Sequence, residues 1–492
     1  MNKLKRIVIR LTVISFIMSM GYSNFLQVNA NAKEEVSKNS YMFVVKDGVA
    51  YDEVLSGIKS KFQTLDVDNI KEINVFSISS DDEQLLNNAK QYIDDNYSDR
   101  IKEKGKPDKI KQDPINILTD GFKPVIKSVN RSIRNSAMLE CEKVSTTESS
   151  AQYENWRWDI DKVTDNRESY DIEQGNHTVK VAVIDSGIDV NHPDLKNNII
   201  SNKSFVPGKD SLEDTIGHGT MVAGEIAANG NVKGVAPKVA IASYKVFDGD
   251  DCESSWVIKA IIQAANDNMD VINLSLGTYK SLLNKEDQAT ILAYERAILY
   301  AQLRNCVVVA ASGNETKGLD VSNPRKLADE LGLKNDLQIS LPGGLPNVVT
   351  VSATNKEDKI TDYSNYGRNV KIAAPGGDYG PDWATKRIPD LRYMALVTYP
   401  TNLPQSQLSS LMEFNKGYEF IEGGTSLAAP KVSAAAALII SKYKEKYGFK
   451  PSALKVEKLL YKGAIPGADG NNPLYYGNGI LNARKSLELI KN

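Results

Sequence analysis

Three short segments carry residue types that could perform acyl transfer: Asp185-Ser186-Gly187, His218-Gly219-Thr220 and Gly424-Thr425-Ser426-Leu427-Ala428-Ala429-Pro430. Splitting an amide calls for a hydroxyl made nucleophilic by an imidazole, a carboxylate that orients the imidazole, and donors for the developing oxyanion. Asp185, His218 and Ser426 supply the first three in the order Asp, His, Ser. Of three histidines, His177 lies in a Gly-Asn-His turn and is expected at the surface, and His192 is expected to pack structurally, which leaves His218 as the base.

The flanking residues predict how these groups are positioned. Val179 to Ile184, Val-Lys-Val-Ala-Val-Ile, is the β-branched run of a buried parallel strand, and it delivers Asp185 to the carboxyl edge where open α/β sheets place their sites. Gly217 and Gly219 flank His218, and Met-Val-Ala-Gly-Glu-Ile-Ala-Ala continues as a helix, so the imidazole projects from a helix start. Ser426 precedes the Ala-rich run to Ile440, with Pro430 expected within the first turn, where its missing N–H costs nothing. The strand from Cys306 runs into Ser312-Gly313-Asn314, and Asn314 can offer its amide to an oxyanion beside the Ser426 N–H. Alone, Gly-Thr-Ser is an ordinary helix cap and Asp-Ser-Gly an ordinary turn; their joint order is what carries the chemistry.

These motifs closely resemble the subtilisin-like serine peptidases over roughly residues 150 to 490, and Asn191-His192-Pro193-Asp194-Leu195, Gly234-Val235-Ala236-Pro237, Asn273-Leu274-Ser275-Leu276-Gly277 and Tyr475-Tyr476-Gly477-Asn478-Gly479 look like family landmarks in order. The resemblance implies that Asp185 orients, His218 acts as base and acid, Ser426 attacks, and Asn314 binds the oxyanion. It also implies that Ser275, Leu276 and Gly277 pair with substrate backbone as an added strand. Glu315 would stand at the rim of the S1 pocket and favour a basic residue there. Asp248, Asp250 and Asp251 would border the S2 and S4 pockets. Asp194 matches a family calcium ligand, so structural calcium is a candidate, while catalysis needs no cofactor. Segments 316–340 and 379–420 exceed the minimal pattern and flank the site, which argues for a narrowed cleft. Together with a signal sequence and a short propeptide, they look most like the leader peptidases that mature lantibiotics by cutting after arginine. A general secreted subtilisin and a catalytically silent binding protein of the same fold are the competing readings.

Alternation of strands (179–184, 239–246, 270–275, 306–311) with helices (218–228, 254–267, 287–303) predicts an α/β fold with a mainly parallel sheet and helices on both faces, the three-layer subtilisin-like class. Ahead of it, strands near 41–45 and 73–78 and helices near 52–62 and 81–93 predict a small α+β domain over 33–100, weakly similar to the propeptides that chaperone subtilisin folding. Residues 101–150, charged and Ser-rich, read as a linker open to activation cleavage, and 151–492 as the catalytic domain.

The first 32 residues, with Lys3, Lys5, Arg6 and Arg10 before the apolar Leu11 to Met20 and then Ala30-Asn31-Ala32, read as a secretory signal. The apolar run is shorter than the ~20 residues that span a bilayer, so a secreted protein without a stable membrane anchor is expected. A net charge of −2 gives no electrostatic basis for nucleic-acid binding. Cys141, Cys252 and Cys306 are too few for a disulfide framework, and no Cys/His metal cluster is evident. The expected partners are a peptide or protein substrate and the chain's own propeptide.

Overall fold

The computed structural model describes residues 39–112, 151–209, 211–468 and 470–490. The signal sequence, Cys141 and residues 113–150 lie outside them.

The N-terminal unit runs β1 (Asn39–Val45), α1 (Tyr51–Lys61), β2 (Asp66–Ile70), β3 (Val75–Ser80), α2 (Glu83–Tyr97) and β4 (Ile101–Gly105), with an antiparallel sheet in the order β2-β3-β1-β4. Strand β1 is apolar on both faces because both are covered. Tyr41, Phe43 and Val45 pack with Phe76, Ile78, Val54 and Ile93 inside the unit. Met42 and Val44, on the opposite face, join Ile73 and Val75 in a second core shared with the larger domain. Asp82 caps α2 by accepting from the N–H groups of Gln84 and Leu85.

Residues 101–112 depart from the linker expected from position 101. Strand β4 completes the N-terminal sheet against β1, and β5 (Lys109–Lys111) pairs antiparallel with a strand of the larger domain, β9. Lysine-rich composition misled here because the lysines face water while Gly105 and Ile110 turn inward.

In the larger domain α3 (Trp158–Thr164) precedes the sheet strands β6 (Lys180–Asp185), β7 (Ile199–Ser204), β8 (Ala240–Lys245), β10 (Val271–Leu274), β12 (Val307–Ala311), β14 (Val349–Thr354) and β15 (Val370–Pro375). Among the described residues they form one seven-stranded sheet, ordered β15-β14-β12-β10-β6-β8-β7, with every neighbouring pair parallel. Helices α4 (His218–Ala227) and α7 (Thr425–Tyr447) cover one face, and α5 (Ser254–Asn266) and α6 (Lys285–Leu303) the other. The short β9 (Asp251–Glu253) precedes α5, and β11 (Thr278–Ser281) pairs antiparallel with β13 (Gln338–Leu341).

The N-terminal unit rests on α5 and α6. Arg296 Nη1 of α6 donates to the carbonyls of Val45 (3.0 Å) and Ile73 (2.9 Å), and Lys259 of α5 pairs with Asp68 at 2.6 Å.

Candidate active site

Strand β6 ends on Asp185, and α4 begins on His218, whose Nδ1 lies 2.8 and 2.9 Å from the two carboxylate oxygens of Asp185. That pairing leaves Nε2 as the reactive nitrogen. Helix α4 approaches β6 this closely because residue 219 has no side chain: a Cβ there would stand 2.0 Å from the Gly187 carbonyl oxygen.

Sequence reasoning missed the device that seats α4. Asp214 is buried, and its carboxylate accepts from Gly217 N (2.7 Å), Thr220 N (2.9 Å), Thr220 Oγ1 (2.6 Å) and Ser186 Oγ (2.8 Å). Ser186 Oγ in turn accepts from Gly219 N at 2.9 Å. Asp214 and Ser186 together thus satisfy the Gly217, Gly219 and Thr220 N–H groups at the start of the His218 helix and tie them to the residue after Asp185. The fully buried Lys245 donates to the carbonyls of Ser186 and Glu213, each at 2.9 Å, and holds Asp248 at 3.1 Å. Asp248 is therefore committed to an internal pair, and Asp251 faces Lys109 at 3.1 Å.

Ser426 is the second residue of α7 and is 5% exposed. The helix begins at Thr425, so Pro430 stands beyond the first turn where the sequence reading put it. Its missing N–H deprives the Ser426 carbonyl of its partner four residues on. Ser275 Oγ supplies the replacement by donating to that carbonyl at 2.9 Å, while Ser426 Oγ points toward the Ser275 carbonyl at 3.5 Å. Ser275 Oγ itself accepts from Asn273 Nδ2 (3.0 Å), and Ser433 Oγ donates to Asn273 Oδ1 (2.8 Å). This internal network fixes the 275–277 segment beside Ser426. Leu276 is buried in the core shared with Ile110, and Gly277 is exposed.

Asn314 follows β12. Its Oδ1 accepts from Thr425 N (2.8 Å) and Thr425 Oγ1 (2.7 Å), and its Nδ2 lies on the Gly424 side of the same turn, immediately before Ser426. Glu315 takes a hydrogen bond from the Tyr279 hydroxyl, which accepts from Asn365 Nδ2 at 2.7 Å. The Glu315 carboxylate is thus held next to Gly313 and Asn314.

Behind the site lies a second group that the sequence reading did not find. Arg157, Asp159, Glu225 and Lys431 are all fully buried. Arg157 pairs with Glu225 at 2.9 Å, and Lys431 holds Asp159 at 2.9 Å and Glu225 at 2.6 Å. Burial would raise Asp159, but Lys431 and Arg157 outweigh it and hold the carboxyl down at about 2. Burial raises Glu225 against the pull of Arg157 and Lys431. The signal was present in the sequence: a lone charge inside the apolar runs 221–228 and 427–440 must find a partner, because an unpaired buried ion costs several kcal/mol.

His192 is buried, with Nε2 2.9 Å from the Gly417 carbonyl, and His177 is exposed. Of the two long segments, 379–420 supplies Thr398, whose Oγ1 donates to the Thr220 carbonyl at 2.7 Å, and Tyr399, which packs with Met221 and Leu427. Asp194 spends its carboxylate on the backbone: Oδ1 accepts from Asn231 N and Oδ2 from Val232 N, both at 3.0 Å. Among the described residues no three His, Cys, Asp or Glu side chains gather to hold a metal ion.

The seven-stranded parallel sheet with helices on both faces, and the His218–Asp185 pair at its carboxyl edge, define the class as a subtilisin-like α/β fold. Residues 176–479 match the model of the subtilase family, Peptidase_S8, and the chain belongs to that family: it is a serine endopeptidase. It is 36% identical over 355 residues to the epidermin leader peptide-processing serine protease EpiP of Staphylococcus epidermidis, covering 68% of this chain and 74% of that one. It is 34% identical over 374 residues to the nisin leader peptide-processing serine protease NisP of Lactococcus lactis subsp. lactis, covering 69% of this chain but 50% of that longer protein. The crystal structure of EpiP from Staphylococcus aureus is 30% identical, superposes with a TM-score of 0.70, and is covered over 99% of its length by 92% of this chain.

Proposed function

We propose that the chain is a secreted leader peptidase that frees a modified lantibiotic from its precursor by cutting after arginine. The observation that carries the mechanism is the His218 imidazole held through Nδ1 by the buried Asp185 carboxylate, with Ser426 on the neighbouring helix start. In this reading Ser426 Oγ attacks the scissile carbonyl as His218 Nε2 takes its proton, and Asp185 stabilises the imidazolium. Asn314 Nδ2 and the Ser426 N–H receive the oxyanion. His218 then delivers the proton to the leaving amine, the acyl–oxygen ester forms on Ser426, and water, deprotonated by the same imidazole, releases the leader. The substrate backbone would lie along Ser275, Leu276 and Gly277, with Glu315, braced by Tyr279, facing an arginine guanidinium.

The N-terminal unit acts as a propeptide in this reading. Its end, β5, lies as an added strand on β9 with Ile110 packed in the core that holds Leu276, so β5 and a peptide substrate would compete for the same cleft. Cleavage within 113–150 releases it. Export rests on the basic and apolar start of the sequence, and among the described residues no helix is long and apolar enough to cross a membrane.

The test is mass spectrometry of a modified precursor peptide incubated with the secreted protein and with its Ser426→Ala variant. A single cut after the leader's terminal arginine, absent in the variant, is expected. Cuts after many residue types would make the chain a general secreted subtilisin, and undiminished cleavage by Ser426→Ala would remove Ser426 from the mechanism.

A further inference from the structure

Asp108 precedes β5, which pairs with β9 and whose Ile110 packs in the core that holds Leu276 of the 275–277 segment beside Ser426. Its carbonyl accepts from Ser254 N at 3.0 Å, so the backbone pairing with β9 extends to it. Its side chain is 13% exposed and enters a set of donors from two elements of the catalytic domain. One carboxylate oxygen accepts from Ser254 Oγ, and the other from Thr278 Oγ1 at 3.0 Å and Lys280 Nζ at 3.1 Å. Thr278 and Lys280 are two residues apart on β11 and so share a face. Ser254 opens the 13-residue α5, which has no acidic residue within its first turn, and Asp108 joins the N-cap Glu253, which accepts from Ser255 Oγ at 3.1 Å, as an anion at its positive end. Lys280 is 11% exposed and is held from its other side by Asp287 at 3.4 Å, which keeps the ammonium in place whether or not Asp108 is there.

Two residues on, on the same face of the strand, Ile110 is 1% exposed and packs in the core that contains Cys252, Val257 and Leu276. Lys109 and Lys111 alternate outward to water. The catalytic domain thus reads this segment as carboxylate, any residue, apolar residue.

We infer that Ser254, Thr278 and Lys280 form a carboxylate-binding subsite of the substrate cleft, filled in the unprocessed chain by Asp108 and in turnover by an Asp or Glu two residues before an apolar anchor of the peptide substrate. The inference rests on the peptidase reading above and adds to it a substrate feature that the triad does not dictate. When Asp108 leaves, Ser254 Oγ and Thr278 Oγ1 lose the carboxylate and Lys280 keeps only Asp287, and a substrate carboxylate restores charge-assisted hydrogen bonds that an amide meets only in part.

Two measurements decide it. In the full chain carrying Ser426→Ala, hydrogen exchange of the amides at 108–112 and 251–254 reports docking without catalysis. Asp108→Asn and Lys280→Gln are each expected to speed that exchange about tenfold, with little further gain in the double variant; exchange unchanged in Asp108→Asn overturns the subsite. In the second, the active enzyme receives the peptide Lys-Pro-Asp-Lys-Ile-Lys-Gln-Arg bearing a fluorogenic leaving group, or its counterpart with Asn for Asp. A kcat/KM ratio of about fivefold or more favouring Asp, falling toward one in Lys280→Gln, supports the subsite. A ratio of one in the unaltered enzyme overturns it. Turnover of neither peptide counts against the arginine-specific peptidase reading, and the exchange measurement then decides the subsite by itself.

Discussion

Replacing Lys431 by Met leaves two buried carboxylates, Asp159 and Glu225, facing a single guanidinium. Lys431 Nζ stands 2.9 Å from Asp159 and 2.6 Å from Glu225, and at an effective dielectric of about 20 each contact is worth about 6 kcal/mol before desolvation is charged against it. Desolvation of the ammonium offsets most of that sum, and removing one partner of such a group typically costs about 3–5 kcal/mol. At roughly 2 °C per kcal/mol for a domain of this size, the midpoint of thermal unfolding should fall by roughly 6–10 °C. The loss should also depend on pH. Lys431 is one of the groups that lower Glu225, so its removal lets burial raise that carboxyl further. A carboxyl whose folded pKa exceeds its unfolded value stabilises the native state below the unfolded value, and that contribution disappears as pH rises through the folded pKa. The deficit of Lys431→Met should therefore be largest near about pH 8 and shrink toward about pH 5, measured by calorimetry at one scan rate. Adding Glu225→Gln should cost less than the sum of the two single changes, because the second removes a charge the first left unpaired. A loss under about 2 °C, or one equal at the two pH values, would refute the view that this group works as a balanced charge cluster.

Glu315→Gln should reduce the preference for arginine over a neutral residue before the cut by about tenfold, read from paired fluorogenic peptides; an unchanged ratio would return Glu315 to a purely structural bond with Tyr279. Asp214→Ala should lower stability by about 2–4 kcal/mol and kcat with it, since it leaves Gly217 N, Thr220 N and Ser186 Oγ without their acceptor; a fully active variant of unchanged melting temperature would sink the claim that Asp214 seats the His218 helix. Cys252 and Cys306 should resist alkylation in the native protein at about pH 8, as burial pushes Cys252 well up and Cys306 to about 11. Peptide mapping that finds either one rapidly labelled would contradict their placement.

Four strands of the parallel sheet were legible as short apolar runs alternating with helical patterns, as in Val179 to Ile184 and Cys306 to Ala311, with observed bounds that differ by a residue or two, whereas β7, β14 and β15, which lack that alternation, were not read. The candidate site residues could be picked out for a related reason: their types are few, and each sits at a strand end or helix start marked by glycine. Illegible were the groups whose partners come from far along the chain. Asp108 meets Thr278 and Lys280, and Arg157 meets Glu225, across separations that no local spacing encodes. The linker expected from residue 101 failed for the same reason, since β4 and β5 owe their order to β1 and β9 and not to their own composition.

The buried cluster also bears on the proposed activation by cleavage. Arg157 and Asp159 belong to the stretch just after residue 150, while Glu225 and Lys431 lie on the helices that begin with His218 and carry Ser426. Arg157 further donates to the Leu396 carbonyl, within the long segment that packs on both helices. Trimming the mature chain past Arg157 would leave Glu225 and Lys431 short of partners and unseat both helix starts together. An activating cut would be compatible with the fold only upstream of this stretch, where the cut expected within residues 101–150 lies. The same residues that close the core behind the site would set the downstream limit of the proposed cut.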